Sequence, residues 1–202
     1  MKKQSTINRN PLNWFRGFTL VELLVVITII ALLAGLLLPV IIGAIKRAEI
    51  TKAKSEIAAV AAAVEQYQVE YSKYPGQTGS SSGDKRYVGG SANSFNAKLI
   101  GVLRGTNYDA TWSNPRGHVF LSVEEKSIVS SNATGTAKVG ELSDPWGNYY
   151  EVIADWNFDN KIDSPTADGL KVYGLGVAVW SYGPSGKAIQ SATDSTHIRS
   201  WK

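Results

Sequence analysis

The chain has 202 residues, with 21 Lys and Arg against 17 Asp and Glu, a formal net charge of +4. Four of those bases, Lys2, Lys3, Arg9 and Arg16, lie ahead of Gly17, so the remainder carries 17 charges of each sign and offers no overall positive field for nucleic acid. The absence of cysteine excludes disulfides, and two distant histidines exclude the usual catalytic and zinc spacings.

The first element is an uncharged run from Leu23 to Ile45, 23 residues rich in Leu, Ile and Val. It reaches the roughly 20 apolar residues that a helix needs to cross a bilayer. The basic, acid-free head before it predicts a cytoplasmic N-terminus, with everything after the helix on the far side. Glu22 is out of place at the head of this run, because a carboxylate in an apolar helix is costly without a cation. A cut between Gly17 and Phe18 would create one: the new amine of one subunit could meet Glu22 of the next. An ordinary secretory peptide has a shorter apolar core, with its small-residue cut site after the core rather than before it.

Gly17-Phe18-Thr19-Leu20-Val21-Glu22 followed by an apolar run resembles the class III signal of type IV prepilins and type II secretion pseudopilins. The resemblance implies that a membrane-embedded prepilin peptidase cuts after Gly17 and methylates Phe18. It places Glu22 at the family's assembly glutamate, the fifth mature residue, and Pro39 where a helix-bending proline often stands. Many type IV pilins close a C-terminal loop with a disulfide, so a cysteine-free chain leans toward the pseudopilin branch.

The helix is expected to continue past the membrane. Ile50, Ala53, Ile57, Val60, Val64, Tyr67 and Tyr71 recur at three- and four-residue steps, which predicts one helix from about Phe18 to Ser72 with an apolar face in its second half. Pro39 should bend it or melt it locally, and Tyr74-Pro75-Gly76 should end it. Residues 77–92 read as a flexible connection, and 93–104 as a short second helix through Phe95, Leu99, Val102 and Leu103. Asn107 to Gly117 is rich in turns, His118 to Val123 has the character of a short strand, and Ser127 to Gly140 is polar.

In the C-terminal third, Asp144-Pro145-Trp146-Gly147-Asn148 is a turn, with strands predicted over 149–154 and 175–182. Trp146 and Trp180 are assigned to the core. This turn, the segment Trp180-Ser181-Tyr182-Gly183-Pro184-Ser185-Gly186-Lys187 and the terminal His197-Ile198-Arg199-Ser200-Trp201 are similar to the major pseudopilin of type II secretion. That family holds its C-terminal loop with calcium. Here Asp194 is the only carboxylate of that loop, so the family's calcium site is not expected there. A different calcium candidate is Asp155, Asn157, Asp159, the carbonyl of Lys161 and Asp163, oxygens at every second position like the first nine of an EF-hand loop. Asn160 stands where that loop needs glycine, and Thr166 where it needs an acid, with Asp168 as a substitute. The alternative is a solvated Asp/Asn-rich turn between two strands.

The expected fold class is α+β, a long N-terminal helix on a small antiparallel sheet, pilin-like. The expected organisation is a leader over 1–17, a transmembrane and assembly helix over 18–45, an amphipathic continuation over 46–74, and a periplasmic head over 75–202. The resemblance implies a non-enzymatic subunit of a bacterial inner-membrane system. Its partners would be the prepilin peptidase, copies of itself and other pseudopilins, and an inner-membrane assembly platform driven by a cytoplasmic ATPase. The alternative is a type IV pilin or minor pilin for adhesion, motility or DNA uptake. Calcium is the one cofactor suggested, and no nucleic-acid partner is expected.

Overall fold

The computed structural model describes residues 17–79, 83–91, 93–131, 135–163, 171–186 and 198–201. The chain divides into two units, Met1–Ile45 and Lys46–Lys202. One helix, α1 (Leu20–Tyr71), begins in the first unit and continues into the second.

Every residue of α1 from Leu20 to Ile42 is exposed. Leu20 is 85% exposed and Leu36 67%, so this run has no partner within its own unit. The helix passes through Pro39 unbroken, and the expected local melting does not occur. Proline removes one N–H, and the remaining bonds of the flanking Leu36-Leu37-Leu38 and Val40-Ile41-Ile42 keep the helix continuous.

In the second unit, α1 buries Ala53, Glu56, Ile57, Val60, Ala63, Val64 and Tyr67. The apolar face is therefore the predicted one, except that Ile50 at its start stays 38% exposed. The helix ends where Ser72 turns left-handed at φ 53°. Gly76 follows at φ 78°, and a Cβ there would strike the Trp112 ring at 2.7 Å, so the stop needs glycine for its backbone and for space.

Against this face lies a four-stranded antiparallel sheet in the order β1 (Lys85–Tyr87), β2 (Glu151–Ala154), β5 (Val177–Ser181), β6 (Ile198–Arg199). A separate hairpin pairs β3 (Lys161–Asp163) with β4 (Lys171–Tyr173). Val152, Ala154, Val177 and Val179 join the α1 core. The alternate residues Ile153, Ala178 and Trp180 form a second cluster with Ile162 and Val172 of the hairpin. Both faces of β2 and β5 are thus covered, which is why Val152–Ala154 and Val177–Trp180 read as continuous apolar runs. Trp180 is a core residue at 1% exposure, whereas Trp146 is half-buried and donates its indole N–H to Glu49 at 3.2 Å.

The second helix, α2 (Phe95–Leu103), is capped by Ser94, whose Oγ accepts from Ala97 N–H at 3.0 Å. No strand forms over 118–123. The amides of Phe120 and Leu121 donate instead to the single carbonyl of Leu103, so the β-rich composition there finds no partner strand. Conversely, the expected flexible connection contains β1. The Asp144–Asn148 turn forms as expected, closed by Gly147 N–H to Asp144 C=O at 3.0 Å and Asp144 N–H to Asn148 C=O at 2.8 Å.

A polar tie fixes α1 to the sheet side of the unit. The Tyr150 hydroxyl donates to Glu56 Oε2 at 2.6 Å and the Ser127 hydroxyl to Oε1 at 3.3 Å, with Lys52 Nζ 3.6 Å from the same carboxylate. Burial, and then the adjacent Glu56 carboxylate, push the Tyr150 phenol far above its ordinary value, so it remains a donor throughout the accessible pH range. Tyr150→Phe leaves a buried carboxylate short of its closest donor, at a cost of about 1–3 kcal/mol. The thermal midpoint of the detergent-solubilised chain should fall by several degrees, and an unchanged midpoint would show the tie to be idle.

Candidate processing and assembly site

Helix α1 opens at Leu20, two residues later than expected, because Thr19 is its N-cap. The Thr19 backbone N–H donates to Glu22 Oε2 at 2.9 Å and its hydroxyl donates to the same oxygen at 3.0 Å. In return the Glu22 N–H donates to Thr19 Oγ1 at 3.2 Å. This is a capping box, in which cap and third helical residue satisfy each other's free donors. The carboxylate also faces the positive end of the helix. Leu23 N–H to Thr19 C=O, at 3.2 Å, starts the helical ladder.

Gly17 and Phe18 therefore lie outside the helix, in irregular, exposed chain, with Phe18 74% exposed. A peptide bond there is open to attack without unwinding any helix. Gly17 has its φ outside the left-handed region, and a Cβ on it would meet nothing within 4 Å. The fold itself does not require glycine at this position. Glu22 is exposed in the first turn, followed by the exposed apolar run, among the described residues the start of one helix long and apolar enough to cross a membrane. Pro39 lies on the same helix, well away from the capped end. Thr19 was not singled out by sequence reasoning, although Thr-x-x-Glu ahead of an apolar run is the signal that could have found it.

The second candidate lies between β2 and β3. Asp155, only 3% exposed, accepts from Asp159 N–H at 3.2 Å through Oδ1 and from Asn160 N–H at 2.8 Å through Oδ2. Asn160 adopts φ 61°, the left-handed conformation for which the EF-hand pattern uses glycine. Asp159 accepts from Lys161 N–H and also pairs with Lys161 Nζ at 2.9 Å, which holds its carboxyl below the ordinary value. Asp163 pairs with Lys171 at 3.2 Å, and its N–H donates to Asp84 Oδ2 at 2.6 Å. Asp84, missed from the sequence because it lies far upstream, has its carboxyl pushed up by burial and then by Asp155, Asp163 and Asp159 around it. Asn157 Oδ1 is buried without a hydrogen-bond partner.

Among the described residues, no group of three or more His, Cys, Asp or Glu comes together to hold a metal ion. The carboxylates of Asp155, Asp159 and Asp163 form no such group; Asp155 accepts from the loop's own amides, and Asp159 and Asp163 pair with Lys161 and Lys171. Thr166, Asp168 and Asp194 lie outside the described residues. Asp155→Ala should open this loop and lower the thermal midpoint equally in calcium and in chelator. A fall confined to calcium-containing buffer would instead assign the carboxylate to a metal.

The prokaryotic N-terminal methylation motif matches residues 15–38, the stretch that holds the exposed Gly17-Phe18 bond, the capping box and most of the apolar run. Type II secretion system core protein G of Pseudomonas aeruginosa is 41% identical over 59 residues, 29% of this chain and 42% of that protein. The protein of the same name from Escherichia coli is 43% identical over 60 residues, 30% of this chain and 41% of its own length. The type IV wide pilus major component of Thermus thermophilus is 42% identical over 59 residues, 29% of this chain and 45% of that protein. The chain thus matches about two fifths of the length of these relatives. No solved structure matches it.

Proposed function

We propose that this chain is a structural subunit of a type II secretion pseudopilus. It is made as a precursor in the bacterial inner membrane, with its N-terminus in the cytoplasm and its C-terminal unit in the periplasm. A prepilin peptidase cuts it after Gly17 and methylates Phe18. The cut subunits, with other pseudopilins, then leave the membrane through an assembly platform into a helical fibre that helps move proteins across the outer membrane. The work is packing rather than catalysis: apolar helices bundle at the fibre centre, and Glu22 meets the amine of a neighbouring Phe18.

The observation that carries this reading is the placement of Glu22 at the head of the exposed apolar run of α1, the fifth residue of the chain that a cut at the exposed Gly17-Phe18 bond would leave. The capping box gives the carboxylate a local role in any such helix, but an acid beside an apolar run stays costly without a cation, and a cut at Gly17-Phe18 would supply one. The N-terminal methylation motif and the similarity to core proteins G support it. Deleting the gene should trap exported proteins in the periplasm, with export restored by the wild-type copy. Unchanged export together with lost surface filaments would reassign the chain to a type IV pilus.

A further inference from the structure

We propose that a small cavity just past the C-terminal end of α1, walled by the Trp156-Asn157-Phe158 loop, is a binding site for a neutral sugar ring. The inference is independent of the pseudopilus reading, because it rests on the second unit alone.

The cavity has a volume of about 260 Å³ and is lined by Ser72 and Lys73 after the helix end, by Gln77, and by Trp156, Asn157 and Phe158 ahead of β3. Sites for drug-sized ligands run from roughly 300 to 1,000 Å³, so this one suits a single ring. Its walls are held from behind. Gln77 accepts from the Tyr74 N–H at 2.9 Å and donates to the Trp156 carbonyl at 3.0 Å, and the Trp156 indole N–H donates to the Tyr87 hydroxyl at 3.1 Å. A ligand therefore meets a site that is already formed, which lowers the ordering cost of binding.

Three features address that ligand. Phe158 sits at φ 57°, a left-handed conformation that is an outlier for a bulky side chain, and such strain persists only where the surroundings hold it. What the strained backbone achieves is display. The Phe158 ring is stacked on Tyr74, with 5.5 Å between centroids and 21° between planes, yet the residue is 54% exposed, so the ring is backed on one side and open to a ligand. The second feature is Asn157 Oδ1, buried without a hydrogen-bond partner. The Asn157 side chain bonds to the Asp159 carboxylate, which only its amide nitrogen can serve, so the oxygen is the end left over. A buried acceptor without a donor costs about 1–3 kcal/mol, which a ligand hydroxyl would recover. The third is Lys73, whose ammonium makes no ion pair among the described residues and offers donors at the rim.

An open aromatic face, an acceptor and a donor match a sugar, whose C–H face stacks on a ring while its hydroxyls both give and take hydrogen bonds. A cationic ligand is opposed by Lys73, and an anionic one by the Asp155 and Asp159 carboxylates of the same loop.

The full chain is purified in a polyoxyethylene detergent, which carries no sugar, and titrated with D-glucose, D-galactose and N-acetyl-D-glucosamine while saturation transfer to each sugar is followed by NMR. Sorbitol, which has no ring, and choline, a cation, are the comparison probes. At least one sugar should saturate in the millimolar range, with sorbitol and choline weaker. Phe158→Ala and Asn157→Ala should each weaken that sugar by about fivefold. Lys73→Met lies outside the strained loop and should weaken it by about threefold, which keeps the cavity testable if a loop variant fails to fold. Weakening in any variant that keeps the wild-type thermal midpoint places the sugar in this cavity. Unchanged affinity in every such variant puts binding elsewhere and overturns the proposal. So does the lack of a saturable signal from all three sugars, or sorbitol or choline binding as tightly as the best of them.

Discussion

Replacing Glu22 with alanine should leave the precursor inserted and cut after Gly17, yet reduce its incorporation into fibres by about tenfold or more. Losing the carboxylate has opposite effects on anchoring and on assembly. In the membrane the substitution removes the one charge on the apolar run, so anchoring becomes easier rather than harder. The exposed Gly17-Phe18 bond lies outside the helix, and the bond from the residue-22 N–H to Thr19 Oγ1, which alanine keeps, still caps the helix at Thr19, so cleavage should proceed. In the fibre, however, a neighbour's amine would be carried into an apolar bundle with no counter-charge. Breaking such a pair by removing one partner leaves the other uncompensated, the costly case for ionic contacts in apolar surroundings. The check is the ratio of cut subunit in sheared fibres to cut subunit in the membrane. Equal ratios for variant and wild type would remove Glu22 from assembly.

Gly17→Val should produce a chain that inserts normally and is essentially never cut. A Cβ at position 17 would meet nothing within 4 Å, and the backbone there does not need positive φ, so the fold should tolerate the substitution. Any requirement for glycine must come from whatever binds the bond, where a β-branched side chain obstructs close approach to the carbonyl. The variant should therefore keep the wild-type thermal midpoint while running as the uncut species on a gel. Efficient cleavage of Gly17→Val would move the cut elsewhere, and a lowered midpoint would mean that the glycine serves the fold after all.

Helix α1 was legible over nearly all its length, since both of its signals are long: an unbroken apolar run, and then Ala53, Ile57, Val60, Val64 and Tyr67 on one face. The Asp144–Asn148 turn was legible because each of its residues has a local reason to be there. Strand β1 was not, since Lys85-Arg86-Tyr87 carries no alternation and becomes a strand only because Val152, Ile153 and Ala154 lie opposite it. The same dependence on a partner, acting in reverse, left His118–Val123 without a strand. Hairpin β3–β4 was hidden because each strand is three residues long and contributes a single buried side chain, Ile162 or Val172.

At the candidate sites, spacing identified the residues but not what they face. Oxygens at every second position from Asp155 to Asp163 suit an ion and suit the loop's own amides equally well; that Asp155 accepts from Asp159 and Asn160, and Asp159 from Lys161, is visible only in the fold. Glu22 was found because it breaks a pattern. Thr19 was passed over because it fits one, a small polar residue just ahead of a helix.

The central claim is that processing supplies the cation that makes Glu22 useful. The intact mass of the subunit recovered from fibres tests it most directly. The claim predicts a chain that begins at Phe18 and carries one methyl group on its new amine; fibres built from the uncut 202-residue chain would contradict it.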